Sequence, residues 1–199
     1  MGKRLFDIVC SLGGLIVLFP LLLAIAFLIK KEDGDPVFYR GERIGRYGKP
    51  FRIYKFRTMG VDADKIGGSS TPEDDPRITK MGNFLRKYKL DELPQLINVL
   101  KGEMSLVGPR PQVQWAVELY REEEKRLLTV RPGITDYASI EFKNEAEILK
   151  GSTEPDKDYL EKIAPEKMRL GLKYIDNRSF WIDMKILFST IKALYKRTP

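Results

Sequence analysis

Between Asp7 and Lys30 the chain reads IVCSLGGLIVLFPLLLAIAFLI, 22 residues without a charge. A bilayer's hydrocarbon core is about 30 Å thick and takes about 20 apolar residues as a helix, so this run is long enough for a transmembrane helix. No small-residue cleavage site of the A-x-A kind flanks it, and a removed signal peptide is not expected. Pro20 falls mid-run, where it deletes a helix hydrogen bond and bends the axis. Lys3 and Arg4 precede the run, and Lys30 and Lys31 follow it. With both ends basic, the positive-inside rule gives no preference for crossing. Two readings stay open. One is a spanning helix that tolerates a proline. The other is a helix that enters, kinks at Pro20 and returns, keeping both ends on one face.

The far end of the chain also suits a membrane. In SFWIDMKILFSTIKALYKR, Trp181, Met184, Phe188, Ile191 and Tyr195 recur at three- and four-residue spacing, with Lys185, Lys192, Lys196 and Arg197 elsewhere. This is an amphipathic helix with an aromatic-rich stripe. It can lie in the membrane interface with its lysines reaching headgroups, or pack its stripe on the domain's own core.

Composition removes several kinds of chemistry. The 199 residues are enough for one domain with a real core. There is no histidine, which excludes Ser-His-Asp triads and histidine metal ligands. The single cysteine, Cys10, allows no internal disulfide and no Cys-rich zinc site, and suits a reducing compartment. A net charge of +7 suits an anionic partner: nucleic acid, a phosphorylated substrate or a membrane surface.

Along the middle, VFYR, a turn-rich GERIGRYGKP and then FRIYKFRTM read as a β-hairpin. Residues 61–79 are polar and rich in Gly and Pro, a loop in which Asp62 and Asp64 lack EF-hand spacing and are taken as solvated. A short helix is expected over MGNFLRKYK. A second is expected from near Asp91, with Leu93, Leu96, Ile97 and Leu100 on one face. KGEMSLVGPRPQ reads as irregular backbone, VQWAVELYREEEKRLL as one helix, RPGIT as a turn, and residues 141–175 as mixed helices and loops. The fold class expected is α+β, mostly helical, with interfacial helices and a small β-hairpin.

RKYKLDELPQL sets two adjacent carboxylates, Asp91 and Glu92, between a basic arm and a proline. A proline three residues after Asp91 suits the first turn of a helix, so Asp91 is a plausible N-cap. A helix N-terminus stabilises carboxylates and binds phosphate. With Arg86, Lys87, Lys89 and Arg110 folded around it, the pair makes a cationic, phosphate-competent pocket. Adjacent carboxylates and phosphate oxygens are hard ligands suited to Mg²⁺. An aspartate there can serve as a nucleophile toward phosphorus. The plainer reading, a cap with a surface acid beside it, stays open on these residues alone.

The motifs as a set are specific. KRLFDIVCSLGGLIVLFPLLL, FRIYKFRTM, LRKYKLDELPQLINVLKGEMSLVGPRP and VRPGIT, in that order from residue 3 to residue 135, closely resemble the bacterial sugar transferase family, the monotopic phosphoglycosyl transferases. The resemblance implies transfer of a sugar-1-phosphate from a UDP-sugar to a polyprenyl phosphate such as undecaprenyl phosphate, with release of UMP, at the start of surface-glycan synthesis. It implies a ping-pong reaction in which Asp91 carries the phosphosugar, Glu92 supports it, and Mg²⁺ binds Asp91. Arg86, Arg110 between Pro109 and Pro111, and Lys55 match family positions that hold phosphate. The break of a re-entrant helix maps to Pro20. Residues 1–31 would then form the membrane helix, and residues 32–199 a catalytic domain lying on the cytoplasmic face of the inner membrane. The implied partners are the UDP-sugar, the polyprenyl phosphate and the membrane, not nucleic acid, and a homodimer is allowed. The sequence departs from the family pattern at Phe19, where serine is usual. It departs again after RPGIT, where DYASIEFKNEAEIL replaces a GLAQV-type sequence. That stretch is expected to touch the sugar and points to an N-acetylated amino sugar. The chain also lacks the extra helices of long members and reads as a minimal catalytic unit. The rival is a membrane-tethered basic binding or scaffold protein without turnover. The middle carries no helix-turn-helix, zinc or RNA-recognition signature for it.

Overall fold

A computed structural model describes residues 2–195; within that range the side chains of Asp64 and Tyr195 are outside the description, as are Lys196 and Arg197 entirely. Helix α1 takes Gly2–Asp33. Strands β1 (Phe38–Tyr39), β2 (Glu42–Ile44), β3 (Pro50–Arg52) and β4 (Lys55–Phe56) follow. Next come α2 (Ala63–Ile66), α3 (Lys80–Lys87), α4 (Gln95–Lys101), β5 (Ser105–Val107), α5 (Gln114–Glu118) and β6 (Gly133–Thr135). The chain closes with α6 (Tyr137–Glu141), α7 (Glu145–Ile148), α8 (Pro155–Lys162), α9 (Ala164–Asn177) and α10 (Phe180–Tyr195). The α+β class expected from the sequence holds.

Helix α1 is the run that opened the sequence, and α-helical backbone continues on both sides of Pro20. The expected interruption there is therefore not a gap in the helix. A helix of 32 residues is about 48 Å long. Both of its ends are tied to the same body. At the start, Lys3 pairs with Asp183, Arg4 donates to the Val99 and Leu100 carbonyls, and Asp7 accepts from Ser105. At the finish, Ile25 and Ile29 pack with Phe56 and Leu85, and Asp33 pairs with Arg57. Burying four such side chains contributes roughly 1.5–3 kcal/mol each. Between these anchors Ile16, Val17, Phe19 and Leu23 are exposed.

The hairpin forms as expected and is nested. Strands β2 and β3 pair antiparallel around a turn in which Tyr47 adopts φ 61°, and β1 and β4 pair outside them. Helix α3 starts where the Thr79 side chain accepts from the Gly82 amide at 2.9 Å, and Arg86 and Lys87 suit its C-terminal dipole. The 61–79 segment is irregular apart from α2, and Asp62 is exposed and paired with Lys65.

Four local expectations need correction. KGEMSLVGPRPQ is not irregular throughout: Ser105–Val107 forms strand β5. RPGIT is not merely a turn: Gly133–Thr135 forms β6, parallel to β5, with Ser105 opposite Gly133 and Val107 opposite Thr135. A Cβ on Gly133 would fall 2.1 Å from the Gly108 amide nitrogen, so glycine is required for the strands to approach. The helix expected over 113–128 is in two pieces, α5 and a 3₁₀ turn over Glu124–Thr129. The Glu124 carboxylate accepts from the Arg121 amide and guanidinium and starts the second piece afresh. Finally, Asp91 is not the N-cap of α4. Lys89 turns left-handed at φ 56°, Leu90–Glu92 form a 3₁₀ turn, and Pro94 caps the helix. The deeply buried face of α4 is Gln95, Asn98 and Val99, whereas its leucine side is half-buried and faces α1, with Leu96 close to Gly14.

Helix α10 buries Asp183 and Ile186 on the core beside Tyr174 and Val107. The aromatic stripe points elsewhere: Trp181 is 79 % exposed and Phe188 72 %. The stripe is thus not what holds the helix to its own domain.

Candidate active site

Strand β4 opens on Lys55, and the pairing of Tyr39 with Lys55 fixes where its stem lies. The left-handed step at Lys89 turns the next residues inward, so Asp91 is only 7 % exposed. Lys55 Nζ lies 2.9 Å from a Glu92 oxygen and 3.7 Å from Asp91 Oδ2. Arg110 arrives from the segment after β5. Its guanidinium holds both Glu92 oxygens, one of them at 3.2 Å. Its own amide donates to Asp136 at 3.3 Å, the Gly108 amide donates to the Thr135 carbonyl, and the Gly133 amide donates to the Pro109 carbonyl. The glycine–proline–arginine–proline turn is thereby pinned to β6.

The two acids differ in state. Burial pushes the Asp91 carboxyl above its usual range, and Lys55 opposes that only in part. Burial also works against charge on Glu92, but Arg110 and Lys55 overcome it and hold that carboxyl well below the usual range. Glu92 in turn raises the Arg110 guanidinium above its ordinary value. Glu92 is a locked anion. Asp91 keeps one oxygen, Oδ1, that is buried and has no hydrogen-bond partner among the described residues. Arg86, on α3, is half-buried; desolvation depresses its pKa, while the Asp91 charge favours its cationic form. Its guanidinium donates to the Thr71 carbonyl at 3.4 Å.

A cavity of about 320 Å³ opens beside this cluster. Glu92, Arg110, Pro109 and Pro111 stand at its polar end, and Asp136, Ser139, Lys143 and Glu145 form another wall. Leu93, Leu96, Leu106, Ile134, Leu187 and Ile191 make an apolar remainder. Lys55 and Asp91 do not line it but adjoin its polar end, Lys55 Nζ contacting both Glu92 and Asp91, and Arg86 is not part of its wall. Residues 1–197 match the family of bacterial sugar transferases. The chain belongs to that family.

This sugar transferase is 40 % identical to the uncharacterized sugar transferase EpsL of Bacillus subtilis, over 96 % of this chain and 86 % of the relative. It is 42 % identical to the UDP-glucose:undecaprenyl-phosphate glucose-1-phosphate transferase of Escherichia coli, over 95 % of this chain and 39 % of the relative. It is 38 % identical to the undecaprenyl-phosphate galactose phosphotransferase of Salmonella typhimurium, over 98 % of this chain and 40 % of the relative. The chain spans about two fifths of the length of those two longer enzymes.

Of the residues singled out in the sequence of this bacterial sugar transferase, the structure brings Lys55, Asp91, Glu92 and Arg110 into one cluster. It sets Pro109 and Pro111 at its cavity and places Arg86 within electrostatic reach. Pro20 lies apart, exposed on α1. Sequence reading did not single out Asp136, which caps α6 through the Ser139 amide at 2.6 Å while holding Arg110. An aspartate three residues before a serine was the available signal. It also did not single out the buried Lys167, paired with Glu145 at 2.5 Å on the cavity wall. No group of three acidic or metal-ligating side chains occurs among the described residues. The free oxygen of Asp91 still suits Mg²⁺, provided substrate phosphate and water complete the shell, as is usual for this ion.

Proposed function

We propose that this sugar transferase moves a sugar-1-phosphate from a UDP-sugar to a polyprenyl phosphate and releases UMP. The observation that carries the reading is the unpartnered Asp91 oxygen beside a fully neutralised Glu92. Asp91 Oδ1 attacks the β-phosphorus of the donor. The bond from that phosphorus to the bridging oxygen breaks, and UMP leaves with the electron pair. A phosphate oxygen of the acceptor then attacks the same phosphorus and displaces Asp91, giving a polyprenyl diphosphosugar. Glu92, held by Lys55 and Arg110, keeps both cations aimed at the phosphates and is too firmly ionised to act as a ready acid. Arg86 adds positive charge behind Asp91. Asp91 would hold Mg²⁺, which neutralises phosphate charge when bound.

The cavity's polar head and apolar walls suit an isoprenoid phosphate. Its Asp136–Glu145 wall suits sugar hydroxyls. An N-acetylated amino sugar is the donor class proposed first, beside the glucose and galactose named for relatives. The tying of both α1 ends to one body supports a re-entrant or in-plane helix over a crossing one. The catalytic domain then lies on the cytoplasmic face of the inner membrane.

The test is UMP release from a panel of UDP-sugars with undecaprenyl phosphate and Mg²⁺. Release with one sugar, lost in Asp91→Asn and stopped by EDTA, is expected. Release that survives in Asp91→Asn sinks the nucleophile assignment, and EDTA-resistant release removes the ion.

A further inference from the structure

A second cavity, of about 370 Å³, lies on the other side of β5. Strand alternation separates the two: Leu106 lines the first, Ser105 and Val107 the second. The second cavity sits where the first turns of α1 and α10 meet. Five cations, Lys3, Arg4, Arg46, Arg131 and Arg178, share its wall with two carboxylates, Asp7 and Asp183.

Both acids are already engaged. Asp183 accepts from Lys3 at 2.6 Å and from the Tyr174 hydroxyl at 2.8 Å. Asp7 accepts from the Ser105 hydroxyl at 2.8 Å and the Leu106 amide at 3.2 Å. Lys3 is balanced by Asp183, and Arg4 is turned to the last carbonyls of α4. The other three guanidinium groups have capacity to spare. Arg46 gives its Nε–H to the Thr129 carbonyl and stacks over Tyr47, and Arg131 gives its Nε–H to the Gly102 carbonyl. Arg178 is exposed and has no hydrogen bond or ion pair among the described residues. A concave wall with one unpaired guanidinium, Arg178, and two more whose terminal N–H groups remain to donate, Arg46 and Arg131, is an anion site by charge and by donor geometry.

The rim says which anion. Phe180 lines the cavity, its ring meeting Phe6 of α1 edge-on at 5.5 Å and the 79 % exposed Trp181 at 5.9 Å, and Leu5 and Val9 of the same first turns of α1 are 65 % and 60 % exposed. Aromatic rings over a cationic pocket, next to bare aliphatic surface, match the layering of a membrane–water interface. We propose that this cavity binds the phosphate of an anionic phospholipid, with its acyl chains running over Phe180, Trp181 and α1. The proposal rests on the membrane-associated reading of α1 and α10.

The test uses the full chain in detergent, titrated with dihexanoyl phosphatidylglycerol, dihexanoyl phosphatidylcholine and inorganic phosphate, with adducts counted by native mass spectrometry. One phosphatidylglycerol is expected to bind in preference to phosphatidylcholine. Affinity should fall about fivefold in Arg178→Ala, recover in Arg178→Lys, and fall further in Arg131→Ala with Arg178→Ala. Equal affinity for the two lipids, or no change in Arg178→Ala, overturns the proposal. Inorganic phosphate bound as tightly as phosphatidylglycerol overturns the lipid source. Detergent removes the bilayer, so this reads the cavity alone. A protein that binds phosphatidylglycerol yet stays free of vesicles supports the cavity and counts against membrane attachment.

Discussion

Arg110 holds both carboxylate oxygens of Glu92. That grip keeps Glu92 ionised and stops it competing with Asp91 for a proton. It also leaves Asp91 as the one member of the pair with an oxygen to offer.

The fork of Arg110 should matter more than its charge. A lysine keeps the charge but donates from a single point. Arg110→Lys is expected to lower kcat/KM for UMP release about 100-fold, or ~2.7 kcal/mol, with little change in melting temperature. Activity within threefold of the native enzyme would show that two-point contact is unnecessary.

Asp91 should trade stability for activity. Burial places its folded pKa above the unfolded value, so its stabilising contribution is complete below about pH 3.9 and is lost as pH rises through the folded value. At neutral pH the buried charge is a net cost. Asp91→Asn removes it, and the variant should melt a few degrees higher while losing turnover. In the native enzyme the acid limb of kcat/KM should lie above the ordinary carboxylate range. A lower melting temperature in Asp91→Asn, measured at pH 7, would contradict this.

The ends of α1 should share one face of the membrane. In a Cys10→Ser background, cysteines at Gly2 and Lys31 should both react with an impermeant maleimide in inverted vesicles and neither in intact spheroplasts. Labelling from opposite sides would mean a crossing helix.

Gly108 should be irreplaceable for packing. A Cβ there would lie 2.5 Å from the Arg131 carbonyl oxygen. Gly108→Ala should cost roughly 1–3 kcal/mol in urea unfolding and should displace Arg110, two residues on. A variant as stable and active as the native chain would show that β5 and β6 can part at no cost.

What was legible in the sequence was local. The long apolar run, the hairpin, the stripe on α10 and the basic arm around Asp91 and Glu92 each announce themselves within 10 to 25 residues. What was not legible depends on distant partners. Strands β5 and β6 are three residues each, too short for a period, and exist because two glycines let their backbones meet. The Asp91 turn is set by a left-handed Lys89, a conformation that no pattern announces. Asp136 and Lys167 look like ordinary loop and helix residues until α6 and α9 close around the cavity.

Asn98 is the quiet part of this arrangement. Its side-chain amide donates to the Arg52 carbonyl at 2.9 Å and to Glu103 at 2.7 Å, and its oxygen accepts from the Tyr54 amide at 2.8 Å. It therefore pins the strand leading to Lys55 against the helix that follows Asp91. Directional bonds tolerate little sliding, whereas greasy contacts tolerate much. The spacing between cation and carboxylate is thus machined inside the protein, like a jig clamped away from the vibration of the bench. A bilayer that thickens or thins loads the exposed middle of α1, while the gap at Lys55 is held by bonds around a fully buried Asn98 that no lipid reaches.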